Sequence, residues 1–353
     1  MKNIGYSVAG LDFIFDKKGK AWFIEANSAS TVHKEVEEVY GEPLTVKAIA
    51  KYINSLPGKN FCIFQRKSHQ FKEEKENSAW LPTKLKEYVN KDFHVCYMNS
   101  NLRVSRNFFP DHNFVKLTLT NFKRGGGNSY VLNSHRRKVK PDVVMRNYFQ
   151  LNPEFESEGV RVINTMAARD LVWFKHKCYD AVKKIKGINI PPYFLINNNS
   201  EFKKVLQENK KLFKDGYVLK PLGDSLGRGV KVANSNRMLR NFEVKPGYMI
   251  QKRIHQPMVE KNKYWDVRCF VVNGKYITGI KRVSKNKVTN IAQGGHGAKL
   301  EDKYQKKIAR VSEKIAEEIN KQAIEWIQSD HEYIYTPKKP TLREVRWHPV
   351  GEE

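Results

Sequence analysis

Tyr217–Val230 reads YVLKPLGDSLGRGV and continues as KVANS. Val218 and Leu219 favour a strand, Lys220 closes the run, and Gly223, Gly227 and Gly229 punctuate a polar loop. Alternation resumes at Val230 and Val232, so the stretch predicts strand, Gly-rich loop, strand. A flexible glycine loop beside a strand-borne lysine suits a polyphosphate. Glycines let backbone N–H groups approach the oxygens, and the ammonium neutralises charge that amides cannot. The lysine precedes the glycines and no G-K-[ST] follows, so this is neither a Walker loop nor the G-x-G-x-x-G dinucleotide fingerprint. An ordinary hairpin with a Gly-rich turn fits the same residues.

Working outward, 353 residues leave room for two or three domains. With 64 Lys and Arg against 37 Asp and Glu, the formal net charge of +27 points to an anionic partner. A nucleotide, an acidic peptide or polymer, or nucleic acid would serve, and a generic lysine-rich surface explains most of these residues equally well. Cys62, Cys96, Cys178 and Cys269 lie far apart without metal spacing, as reduced core residues of a cytoplasmic protein would. Met1 leads into a short strand pattern rather than a signal peptide. No apolar run approaches the ~18 residues that span a bilayer.

The segment 1–58 opens with GLDFIFDKKGKAWFIEANSAS. Strands at Leu11–Phe15 and Ala21–Ala26 flank an Asp16-Lys-Lys-Gly19 turn, which predicts a hairpin. Glu25 and Asn27, two apart, share a face, and Asp12 lies on the neighbouring strand. Hard oxygen ligands converging from paired strands are what Mg²⁺ requires, although a solvated hairpin rim would look similar. A helix follows over Pro43–Leu56, with Val46, Ile49, Ala50 and Ile53 inward.

Residues 59–165 predict a small open α/β unit, with strands at Phe61–Gln65, Phe93–Met98 and Asp142–Met145 and a helix at Trp80–Val89. Its basic, turn-rich stretch at 102–140 reads as a nucleic-acid loop or, more simply, a solvated one. Arg146 follows a strand end, where α/β sheets place ligand contacts. Residues 166–353 begin with a helix over about Arg169–Lys184 carrying Lys175 and Lys177, then a short helix at Ser200–Glu208. The glycine-loop hairpin, MIQKRI (Met249–Ile254), a hairpin of WDVRCFVV and YITGIKR, and a charged helix at Asp302–Asn320 complete the order. Two tail strands surround Thr336–Pro340.

Taken together, this ordered set resembles the ATP-grasp superfamily, and most nearly its amino-acid ligases and spore-coat-associated relatives. The signals are the lysine-bearing helix, Lys220 with its glycine loop, MIQKRI, WDVRCFVV, KRVSKN…NIAQGG and VAGLDFIF…FIEAN. The resemblance implies an α+β/α/β chain: two α+β subdomains clamping ATP, with a small α/β domain before them. It implies that Lys177 (or Lys175) and Lys220 contact the α- and β-phosphates, under a lid at Gly223, Gly227 and Gly229. Gln251, Lys252 and Ile254 would receive adenine. Asp266 and Arg268 match a D-x-R pair, and Arg282 and Asn290 match positions that steady the γ-phosphate and an acyl phosphate. Asp12, Glu25 and Asn27 match the family's ligands for Mg²⁺, with Mn²⁺ as an alternative ion. The implied reaction joins a small-molecule or peptide carboxylate to an amine or amino acid with release of ADP. A non-catalytic nucleotide or polyanion binder is the competing expectation, with a nucleic-acid-binding protein behind it.

Segment order departs from the family, because VAGLD…FIEAN opens this chain instead of following the charged helix. Either the chain is a circular permutant, or 1–58 is the end of one module followed by a second complete one. The second view would move the metal site to Asp330 and Glu344. There Arg346 stands at the asparagine position, and a guanidinium cannot ligate a cation.

Overall fold

A computed structural model describes residues 5–28, 33–66, 72–98, 131–132, 138–139, 141–146, 160–223, 227–237, 242–257, 263–289, 291 and 294–328. The chain starts with the expected hairpin, β1 (Val8–Phe15) and β2 (Ala21–Asn27). Asp16 builds the turn, accepting the Lys18 and Lys20 N–H groups at 2.9 and 3.0 Å, and Gly19 takes the left-handed φ of +73° that the reversal needs. Helices α1 (His33–Tyr40) and α2 (Leu44–Ser55) follow, and α2 buries Val46, Ile49, Ala50 and Ile53 as its 3.6-residue spacing requires.

The second unit contains β3 (Asn60–Arg66), α3 (Lys72–Tyr88), β4 (Asp92–Met98), a two-residue ladder of β5 (Val131–Leu132) with β6 (Lys138–Val139), β7 (Val143–Arg146) and β8 (Arg161–Ile163). Its sheet is wholly parallel in the order β4-β3-β7-β8. Phe61, Ile63, Val143 and Met145 pack there against α2 and α3. The basic 123–127 run and Arg346 lie outside the described residues, as do both tail strands; of Arg146 only the backbone is described.

From residue 166 the expected single helix is two, α4 (Met166–Trp173) and α5 (Lys175–Val182). Phe174 breaks it with an extended ψ of 104°, and the Lys175 N–H turns aside to the Leu222 carbonyl at 3.4 Å. Then come β9 (Tyr193–Ile196), α6 (Asn199–Glu208), β10 (Tyr217–Pro221), β11 (Lys231–Ala233), β12 (Tyr248–Lys252), β13 (Tyr264–Val272), β14 (Lys275–Ser284), β15 (His296–Lys299) and α7 (Asp302–Gln328). The sheet β11-β10-β12-β9 holds the glycine-loop hairpin and rests on α6 through Ile196, Phe202, Tyr217, Leu219 and Ile250.

The five-stranded sheet β15-β14-β13-β1-β2 decides where the amino-terminal segment belongs. β1 is sandwiched between β2 and β13, so residues 8–27 and 264–299 form one antiparallel layer. One face of that layer, with Leu11, Phe13, Phe15, Val267 and Cys269, packs on Ile308, Ile315 and Ile319 of α7 and on α4 and α5. The opposite face carries the polar residues described below.

Two asparagines pin this arrangement. Asn320 of α7 accepts the Gly5 and Tyr6 N–H groups at 3.0 and 2.9 Å, so the start of the chain lies against that helix. Asn164, buried at the β8–α4 junction, makes four bonds. Its carbonyl accepts from Ser7 and Val8 N–H (2.7 and 2.9 Å), and its amide donates to the Val8 and Ser28 carbonyls (2.6 and 2.8 Å). One amide side chain therefore satisfies four backbone groups that burial would otherwise strand, at roughly 1–3 kcal/mol each.

Candidate active site

Alternation along four strands puts five ionisable side chains on one face of the long sheet. Asp12 of β1 stands opposite Arg268 of β13 and Glu25 of β2, and Asp266 of β13 stands opposite Arg282 of β14. Asp266 and Arg268, two apart, point the same way. In β2 the register skips Ile24, a bulge that brings Glu25 level with Asp12. The bulged Ile24 carbonyl accepts the Tyr179 hydroxyl of α5.

The ion pairs are short and shielded. Arg268 donates to both oxygens of Asp12 at 2.6 Å, through Nε and Nη2. Arg282 does the same to Asp266 at 2.7 and 2.6 Å, and its Nη2 also lies 2.9 Å from Asp12 Oδ2. Glu25 is half-buried, 3.8 Å from Arg268 Nη2, and accepts from Asn27 Nδ2 at 3.5 Å. Burial works against the Asp12 carboxylate, but Arg268 and Arg282 outweigh it and hold its pKa down at about 2. Asp266 is pushed up by burial, which Arg282 only partly offsets. Arg282 loses solvation, yet Asp12 and Asp266 raise it further into the charged state.

Facing this layer is the other sheet. Lys220 of β10 points away from Tyr217 and Leu219, is only 8% exposed, and has its pKa lowered to about 8. Burial is the main cause and Lys175 adds repulsion, while Glu25, Asp12 and Asp266 pull it back. Carboxylates from the start of the chain and the lysine from its middle therefore share one electrostatic neighbourhood. Gln251 of β12, also buried, donates to the Tyr179 hydroxyl at 3.1 Å, which ties the two sheets through α5.

Of the two helix lysines, Lys175 is buried and acts on Lys220, whereas Lys177 is exposed with its ammonium 5.1 Å from the Phe174 ring centre. The break at Phe174, invisible to a helical-periodicity argument, is what turns Lys175 inward. Geometry thus favours Lys175 over Lys177. Gly227 and Gly229 have φ of +70° and +69°, and a Cβ on Gly229 would sit 3.2 Å from Pro221 Cγ, so the loop after Lys220 is built for glycine. A Cβ on Gly223 would come within 3.0 Å of Trp173 Nε1. The Lys252 N–H is engaged by the Pro192 carbonyl at 2.8 Å, so it is not a donor for a base, and Ile254 follows half-buried after β12. His296 is exposed on β15. Asn290, Asp330 and Glu344 lie outside the described residues.

Among the described residues no three His, Cys, Asp or Glu side chains form a metal cluster. A cation here would rest on two carboxylates and an amide. The donor chemistry fits a hard ion: an ionised carboxylate has about four lone-pair sites, and the guanidiniums take three on Asp12, leaving one beside Glu25 and Asn27.

Residues 173–336 match the model of the RimK-like ATP-grasp domain. No curated protein matches the sequence significantly. Among solved structures, the chain is similar to a protein assigned as a gamma-glutamylcysteine synthetase from Methylobacillus flagellatus, at 10% identity over 92% of this chain and 90% of that one, with a TM-score of 0.60. A D-alanine–D-alanine ligase from Coxiella burnetii is less similar, at 8% identity over 74% and 78% of the chains and a TM-score of 0.46. The protein has the ATP-grasp fold. Within that class, residues 173–336 are similar to the RimK-like ATP-grasp domain. The matched range holds Lys175, Lys220, Asp266, Arg268 and Arg282, while Asp12, Glu25 and Asn27 reach the same place through β1 and β2.

Proposed function

We propose that this chain is an ATP-dependent ligase that joins a carboxylate to an amine and releases ADP. The observation that carries the reading is the meeting of Lys220 with Asp12, Glu25 and Asp266 in one shielded neighbourhood fed by two sheets. Lys220 and Lys175 would neutralise the phosphates of ATP, the glycine loop would cover them, and Gln251 with the Ile254 backbone would border the adenine. Glu25, Asn27 and the remaining lone pair of Asp12 would hold Mg²⁺, or Mn²⁺ in its place. When bound, that ion supplies charge neutralisation across the β- and γ-phosphates. Arg268 and Arg282, held rigid by their own carboxylates, stand ready to absorb charge on a transferring phosphoryl group.

The reaction balances without a nucleophilic side chain. A substrate carboxylate oxygen attacks the γ-phosphorus and the bond to ADP breaks. The amine nitrogen then attacks the acyl carbon, inorganic phosphate leaves, and the amine gives up its proton.

We further infer that the Asp12 set, rather than Asp330 with Glu344, is the working one, and that the chain order is a permutation of the usual one. Support comes from the central place of β1 in the sheet and the contact of Gly5 and Tyr6 with Asn320. The test is ADP release from ATP with magnesium and pooled amino acids. Glu25→Gln is expected to lower the rate about a hundredfold, and Glu344→Gln to leave it unchanged. The reverse pattern contradicts the permuted site.

The second reading, a nucleotide binder without turnover, is favoured by one observation: Asp12 already serves two guanidiniums. Nucleotide binding with no ADP release from the wild type would establish it. No described helix is long and apolar enough to cross a membrane.

A further inference from the structure

One carboxylate on the polar face of the long sheet takes no part in the ion pairs above. Glu35, in the first turn of α1, has its Oε2 fully shielded from solvent and without a hydrogen-bond partner among the described residues. Its position is fixed by packing. Val36 of α1 is buried against Phe270 and Ile280 on that face. Beneath the helix lies Gly297 of β15, where a Cβ would come 3.4 Å from the Glu35 Cβ and 3.3 Å from Val39 Cγ2. Gly297 is the cross-strand partner of Arg282. Glu35 is therefore seated over the strand next to the arginine that grips Asp266 and Asp12. It also feels the charge of Arg268, and burial raises its pKa.

A shielded carboxylate with an unused oxygen calls for a cation. The fixed cations of this face already have carboxylate partners, since Arg268 holds Asp12 and Arg282 holds Asp266, each through Nε and Nη2. A mobile cation must also arrive here if the chain is the ligase proposed above, on which this inference rests. The amine that attacks the acyl phosphate is an ammonium ion at neutral pH. We propose that the Glu35 carboxylate receives the ammonium group of the amine substrate and holds it beside Arg268 and Arg282. The preferred amine is then one that carries a positive charge when it binds. The glycine at 297 suits this arrangement, because it lets α1 lie close on β15, where even a Cβ would be tight against Val39.

The experiment compares wild type with Glu35→Gln, which keeps the shape and removes the charge. ADP release is measured with the twenty proteinogenic amino acids as one pool of carboxylates and amines. It is measured again with hydroxylamine, a nucleophile uncharged at neutral pH that captures an acyl phosphate as hydroxamate. The expected result is an amine KM raised about thirtyfold, in line with loss of a charge-assisted hydrogen bond, with the KM for ATP and the hydroxamate yield unchanged. Glu35→Asp should restore part of the amine affinity. An unchanged amine KM overturns the assignment. So does an equal fall in hydroxamate yield, which would place Glu35 in the ATP half-reaction or in the fold. Wild type that forms neither product nor hydroxamate instead removes the ligase reading itself, and this inference with it.

Discussion

Lys220→Met is expected to lower ATP turnover by about a thousandfold, the upper range for losing one charge donor at a transferring phosphoryl group, and to make the protein more stable. The two effects share a cause. Burial lowers the Lys220 pKa from its ordinary value of 10.5 to about 8, so the folded protein keeps this ammonium at a cost of about 3 kcal/mol. Below pH 8 both folded and unfolded chains carry the proton, and the cost is present in full. Between about 8 and 10.5 the unfolded chain binds more protons than the native one, so stability rises with pH across that window. Methionine fills the same volume without the charge and removes the slope. Urea denaturation of both proteins below pH 8 and near 10 measures the gain and its disappearance. A methionine variant less stable than wild type at both values would mean that Glu25, Asp12 and Asp266 stabilise the ammonium more than burial penalises it.

The largest loss of stability is expected from Arg282→Met. This guanidinium holds Asp266 through two bonds and touches Asp12 with the same Nη2 atom, all largely shielded from water. Removing it strands the Asp266 carboxylate, at about 3–5 kcal/mol for one broken buried pair. The pH dependence identifies the mechanism. Asp12, held at about 2 against an ordinary 3.8, contributes roughly 2 kcal/mol that is present above the unfolded pKa and lost as pH falls through about 2. Asp266, whose pKa is raised, acts in the opposite sense and favours the fold when protonated. Without Arg282 that second behaviour should dominate, so the deficit of the variant shrinks on mild acidification. Thermal melts near neutrality and about one unit above the usual carboxylate pKa give the comparison. A deficit that does not change with pH would assign the loss to packing instead of charge.

Much of this arrangement was legible in the sequence because it follows from period two. The spacing of Glu25 and Asn27, and of Asp266 and Arg268, fixes a shared face wherever those strands lie, and the glycines after Lys220 mark the turn. What the sequence withheld is long-range. Nothing local says that β1 inserts next to β13, which is the step that brings Asp12 to Arg268 across 256 residues. The choice of Lys175 over Lys177 depends on an extended Phe174, a residue without a breaking tendency. Its conformation is set by the bond from Lys175 to Leu222, a contact no periodicity reveals. Asn164 sits in no motif, and its four bonds are visible only once residues 7, 8 and 28 converge on it. Glu35 was hidden for a similar reason: a glutamate in a first helical turn is usually solvated, and here α1 is pressed onto Gly297.

A structure of the protein with magnesium and a non-hydrolysable ATP analogue tests the shared site most directly. The account predicts the phosphate chain between Lys220 and the Asp12–Glu25 pair, with a metal ion about 2 Å from a Glu25 oxygen and the Lys175 ammonium on the α- or β-phosphate. A nucleotide whose metal is held without any ligand from β1 or β2 would contradict it.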